Sequence, residues 1–406
     1  MILTRSSTLR FASTLTRDTE PGTAALALVD GVRRELGSHT IDLAFLFVSA
    51  QYGQHLRELT AVLRHELNPR ILVGCTGEGV IGGRKEVEAE PAATLWVAHM
   101  PGVHVAPLRL SFSGLHDRFT LAEWPDSLPT GAERPVFMLF ADPFSTPMQD
   151  VLTLVEDRYP EAIAIGGLAG GGQDLGDNRL LLNEQVHDSG LVGVAMTGDI
   201  SIRTVVSQGC RPIGERYMIT KAEHNVVHEL SGIPALTCLQ NVFGSLTTDE
   251  RALAHRALHI GIAIDEHRSR FDRGDFLVRN LIGADQQTGA VVIGDVVQEG
   301  QTVQFQVRDA QAATDDLNLL LAAARGTQER SALGALLFSC CGRGKGLFGC
   351  ADHDISVVEE HFGHVPVSGF FAQGEIGPVG GRSFLHGYTA SLALFCDPPT
   401  RTSANS

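Results

Sequence analysis

Residues 43–50 (LAFLFVSA), 55–67 (HLRELTAVLRHEL), 71–74 and 75–83 (CTGEGVIGG) decide the fold. They read as an apolar strand, an amphipathic helix, a second apolar strand and a Gly-rich stretch, and residues 93–98 add a closing strand. The same order returns at 135–141 (PVFMLFA), 148–159 (MQDVLTLVEDRY), 162–165, 166–176 (GGLAGGGQDLG) and 191–196. It returns again at 334–339 (GALLFS), 355–363 (ISVVEEHFG), 365–369, 369–381 (GFFAQGEIGPVGG) and 390–395. In each copy the first strand leads to the second over the length of a βαβ unit. Such units place strand C-termini on one edge of a parallel sheet, where ligands bind. The repetition therefore predicts a pocket before any catalytic motif is sought.

Working outward, residues 21–36 have helical spacing, with Pro21 at the start and Gly37 past the end. Residues 101–135 read as a strand followed by a surface linker, and SIRTVVSQG (201–209) as a strand antiparallel to its predecessor. Beyond Gly209 the pattern changes to short strands, a helix after the SGIP turn, a helix over TTDERALAHRALHI, further strands at 270–281, 290–294 and 302–308, and a helix at 310–324. The expected fold class is α/β, with mixed sheets, internally repeated βαβ-plus-strand units and an inserted α+β region. The expected domains are 22–208 (two repeats) and 209–398 (the inserted region plus the third repeat), with a frayed tail at 399–406. Closing the third repeat onto the first two would set the stretches 74–83, 166–172 and 369–381 around one cavity.

Composition sets limits. The chain has 406 residues, 43% apolar and 19% charged, which fits a folded protein with a large core. A net charge of −15 disfavours nucleic-acid and anionic-membrane partners. No apolar run is long enough to span a bilayer, so no membrane insertion is expected. Seven cysteines without a framework spacing read as reduced thiols in a cytoplasmic protein.

The chain resembles the FIST family, named for F-box and intracellular signal transduction. The resemblance is carried by VGCTGEGVIGG (73–83), ADPFS (141–145), GGLAGGG (166–172), VVSQGCRPIGE (205–215), NVVHELSGIPAL (225–236) and GFFAQGEIGPVGGRSFLHGYTASLALF (369–395). These segments follow the family's order in both its N-terminal and C-terminal halves. The resemblance implies a sensory, signal-transducing module that binds small ligands, amino acids among them. Residues 30–396 are taken up by the module itself, so the expectation is a stand-alone form that signals through an unidentified downstream protein.

The chemistry-bearing residues sit in the Gly-rich stretches and near the first-strand ends. Gly166, Gly167 and Gly171 let the backbone approach a ligand closely and form anion-binding nests, or simply turn the chain. Cys75, Thr76, Gly77 and Glu78 form the matching stretch of the first repeat, and Gly374 and Glu375 that of the third. Glu78 and Glu375 read as matching carboxylates, able to hold an amino group or to cap local backbone. Asp142 suits a turn or cap role. Arg211, and Arg343 after Ser339, have the fork for a ligand carboxylate, or for a structural Asp or Glu. Cys340, Cys341 and Cys75 are candidate nucleophiles for a hydrolase or transferase, with His353, His361, His364 and His386 as bases; the competing reading is that buried cysteines are small apolar residues. A third reading is a protein-recognition module without a small ligand. No cofactor or metal is expected: the glycine stretches lack the dinucleotide pattern, GRGKG (342–346) lacks a phosphate-loop ending, and Cys340, Cys341, Cys350 and His353 lack zinc-site spacing.

Overall fold

The computed structural model describes residues 9–113, 120, 121, 124, 134–268, 271, 274–325 and 332–398. Much of the expected linker before residue 135, and the tail from 399, lie outside them. The described residues form two compact units. One gathers residues up to 206, 318–385 and those from 389 on; the other comprises 207–317 with 386–388. The fold is mixed α/β, as the repeats imply.

All three repeats lie in the first unit. Each supplies a lead strand (Leu43–Ser49, Val136–Ala141, Ala332–Cys340) and a parallel second strand (Leu72–Gly77, Ile163–Leu168, Val367–Ala372). Each also supplies a closing strand antiparallel to the lead (Ala93–His99, Leu191–Gly198, Thr389–Cys396). Between second and closing strands the chain makes a hairpin: Gly79–Gly82 with Lys85–Glu88, Leu180–Leu182 with Gln185–His187, and Gly374–Val379 with Arg382–His386. None of these hairpins joins the sheet of its own repeat. The first pairs with the second strand of repeat three (Ile81 opposite Gly369), the second with repeat one (Leu181 opposite Gly74), and the third with repeat two (Ile376 opposite Gly166). A flanking strand completes each sheet: Arg10–Thr16, Val103–Leu110 and Ser201–Gln208. The result is three six-stranded sheets of identical order: flanking, closing, lead, second, borrowed hairpin.

This exchange alters two readings from sequence. The first and third Gly-rich stretches are largely buried strand rather than loop, because a neighbouring sheet satisfies their backbone groups, whereas the second leaves its strand at Leu168 and continues as loop. Ser201–Gln208 pairs not with its predecessor but with the closing strand of repeat three.

Alternation along the lead strands sorts the core. In repeat one, Ala44, Leu46 and Val48 face the helices Pro21–Leu36 and Leu56–Leu67, while Phe45 and Phe47 face inward. In repeat two, Phe137, Leu139 and Ala141 face Met148–Arg158, while Met138 and Phe140 face inward. Phe47, Phe140 and Phe338 hold the same position in their lead strands, and their rings form a triangle with centroids 5.2, 5.7 and 6.2 Å apart. Those spacings suit tilted aromatic pairs. One residue earlier, Leu46, Leu139 and Leu337 face Gly74, Gly166 and Gly369. A Cβ on these glycines would lie 1.8, 1.9 and 1.7 Å from the facing carbonyl oxygen, so only glycine permits the approach.

The second unit is an antiparallel sheet around its own core of Ile219, Ile260, Val291, Val303 and Phe305. Cys210–Glu223 pairs with both Thr302–Arg308 and Val226–Leu230, which closes the strand order into a small barrel-like sheet. Helix Thr248–Ala257 opens on a capping box between Thr247 and Glu250. It ends at Ala257, earlier than the helical spacing implies. Leu258–Ala263 is a strand instead, paired on both edges, with Ile260 and Ile262 inward. The flanking strand Arg10–Thr16 was also not anticipated.

Gly369→Ala is expected to destabilise the protein by about 3 kcal/mol through forced strand separation. Gly346→Ala, with open space at its Cβ position, should change stability by less than about 1 kcal/mol. Urea unfolding of both variants tests this. Equal effects would contradict the close-approach account.

Candidate functional site

The bends after the three second strands meet. Glu78 N–H donates to Phe371 C=O, Gly170 N–H to Thr76 C=O, and Gln373 N–H to Leu168 C=O, each at 3.1 Å. Every bend thus donates to one neighbour and accepts from the other. Glu78, Gly170 and Gln373 hold equivalent places, each four residues past the close-approach glycine of its repeat. A cleft of about 470 Å³ lies at this junction, lined by Ala50, Gln51, Glu78, Gly79, Glu88, Ala89, Gly171, Gly172, Gln173, Cys341, Phe371 and Gln373. Its lining carries two carboxylates and three glutamine amides, and no lysine, arginine or histidine. Ala89 sits there at φ 57°, a left-handed conformation uncommon for alanine.

Of the residues anticipated from sequence, Glu78, Gly171 and Cys341 line the cleft. Cys75, Thr76, Gly77, Gly166, Gly167, Gly374, Ser339, Arg343 and Glu375 are buried in the first unit. Burial pushes the Cys75 thiol well up, which makes it inert at neutral pH. Cys340 is buried below Cys341 in sequence order, at the end of its lead strand. Arg211 belongs to the second unit and pairs with Asp309 (3.0 Å) and Glu250 (3.3 Å). Asp142 accepts hydrogen bonds from Ser145 Oγ and Asn178 Nδ2, the turn role read for it. Gln51, Glu88, Ala89, Gln173, Phe371 and Gln373 were not singled out. Glu88 carried no signal because it lies at a hairpin end, outside the Gly-rich stretch.

Glu78 and Glu375 do not correspond. The registers put Glu375 opposite Gly167, where the other two hairpins put Val80 opposite Phe370 and Leu180 opposite Cys75. The matching Gly-Glu letters misled because the strand anchor is the glycine under the lead-strand carbonyl. Glu375 Oε2 accepts from Thr389 N–H and Oγ, while Oε1 has no partner. Burial first, then Cys340, pushes its carboxyl well up, which favours the protonated form.

Arg343 and Asp354 form a fork-to-fork pair at 2.7 and 2.8 Å, both buried. Ser339 Oγ and His353 Nδ1 contact the same carboxylate at 2.8 and 3.0 Å. Burial opposes both charges, but each partner outweighs it, holding Asp354 well below the usual carboxylate range and the guanidinium protonated. The repeat-one hairpin docks beside this pair. Glu86 Oε1 accepts from Ile355 N–H, Glu86 N–H donates to Asp352, and Lys85 pairs with Asp352 at 2.8 Å. Burial, and then Asp354, pushes Glu86 up to about 8.

Among the described residues, no helix is long and apolar enough to cross a membrane, and no group of three His, Cys, Asp or Glu side chains is placed to hold a metal.

Residues 42–233 match the FIST N domain family and residues 235–378 the FIST C domain family. An uncharacterized protein of Mycobacterium tuberculosis is 41% identical over 374 residues, covering 92% of this chain and 96% of the relative. An uncharacterized protein of Mycobacterium bovis is 40% identical over 379 residues, covering 92% and 95%.

Two outcomes follow from the buried charges. Asp354→Asn leaves Arg343 uncompensated and should cost about 3–5 kcal/mol. Because Glu86 titrates higher folded than its ordinary 4.5, its contribution is full below that pH and is lost as pH rises toward 8. Urea unfolding at pH 5 and pH 8 should show a smaller loss of stability in Glu86→Gln than in the wild type. An unchanged pH slope would remove Glu86 from the account.

Proposed function

We propose that this chain, which belongs to the FIST family, is a small-ligand-binding sensory protein acting in signal transduction in the cytoplasm. The observation that carries the reading is the junction of three equivalent bends under one cleft. Convergent strand ends are where α/β folds bind ligands. An amino-acid-like metabolite fits the lining. Its ammonium group pairs with the carboxylates of Glu78 and Glu88, and the amides of Gln51, Gln173 and Gln373 serve its carboxylate. With no cation in the lining, a ligand lacking an amino group would leave the two acids uncompensated. A downstream protein reads the liganded state.

Calorimetry and thermal-shift measurements against the common amino acids test this. Binding of an amino acid that weakens about tenfold in Glu78→Gln or Glu88→Gln is the expected result, the loss of one charge-assisted hydrogen bond. No binding across the panel, or binding indifferent to both substitutions, would contradict it.

A further inference from the structure

The second unit holds a cation that no acid among the described residues covers. Arg308 ends the strand Thr302–Arg308. Its Nε and Nη2 are shielded from solvent, and neither has a hydrogen-bond partner. No carboxylate among the described residues pairs with it, and the adjacent Asp309 is committed to Arg211. The guanidinium lies over the Tyr388 ring, 5.0 Å from its centroid. On that ring also rests the imidazole of His259, at 4.1 Å. His259 is only 7% exposed, and its Nδ1 is likewise buried and unpartnered. Tyr388 is itself fixed, its hydroxyl bonded to Asn280 Oδ1.

We propose that Arg308, His259 and Tyr388 form a binding site for a carboxylate group, with Nε and Nη2 of Arg308 gripping its two oxygens. Those two nitrogens present parallel N–H bonds along one edge of the guanidinium, the spacing of a carboxylate. Three unpartnered donors or acceptors around one buried charge are rare in native interiors, where such groups are satisfied. A protonated Nδ1 of His259 supplies a third bond. Burial, and then Arg308, pushes His259 down to about 4, so the imidazole is neutral at pH 7 and the site carries one positive charge. A carboxylate neutralises that charge, whereas a phosphate dianion would leave one charge in excess. Arg308 as a whole is half-buried, so a small acid needs only local side-chain movement to enter. The residues all belong to the second unit, and the assignment stands independently of the cleft reading.

The test is titration of the full chain, ¹⁵N-labelled, with sodium acetate against a chloride reference of equal ionic strength, with inorganic phosphate as a separate arm. The arginine Nε–H resonance of Arg308 should shift saturably with acetate, and the thermal midpoint should rise with it. Both responses should vanish in Arg308→Gln, which in chloride should be at least as stable as the wild type because an uncompensated charge has been removed. Arg308→Lys keeps the charge but loses the fork, and should weaken acetate binding about tenfold. A response equal to that of chloride, saturation by phosphate alone, or affinity unchanged in Arg308→Lys would overturn the proposal.

Discussion

The first unit depends on one constraint: three copies of a strand pair must meet at a common centre, and each is completed by a hairpin from another copy. Phe47, Phe140 and Phe338 fill that centre, and just past the second strands three backbone hydrogen bonds close a ring from repeat to repeat. Neither device works in an isolated repeat. A second strand without its borrowed hairpin would expose a row of unpaired donors and acceptors. The phenylalanines would lose the rings that cover them. The exchange thus couples the three sheets into one cooperative body, and it also places Glu78, Gly171 and Gln373 side by side at the cleft.

The repeats are alike in backbone and unlike in chemistry. At the position where the first and second hairpins place Val80 and Leu180, the third places the acid Glu375. At the ends of the lead strands stand Ser49, Asp142 and Cys340. Ser49 accepts from Ala92 N–H, and Asp142 organises its own turn. The third copy instead carries the buried Arg343–Asp354 pair. Among the three copies, the third thus carries the most buried ionisable side chains, with Glu86 in the first and Asp142 in the second.

Much of this was legible in sequence. Lead, second and closing strands followed from apolar runs and their spacing, and most helices from caps and periodicity. The family followed from ordered segments over nearly the whole chain. What escaped was non-local. A four-residue strand such as GVIG reads the same whichever sheet edge it joins, so the hairpin exchange left no local trace. The run Leu258–Ala263 follows a helix without a breaker, and only pairing on both edges makes it a strand. Cleft residues such as Glu88 and Gln173 are ordinary surface types in sequence. Arg308, His259 and Tyr388 lie far apart along the chain and share no motif.

Native-state hydrogen exchange at the ring amides of Glu78, Gly170 and Gln373 tests the interlock most directly. If the three sheets form one cooperative body, all three amides exchange with the same opening free energy, equal to that of global unfolding. Exchange of one of them at a clearly lower free energy, with its hairpin opening alone, would show that the repeats hold themselves separately and would contradict the account.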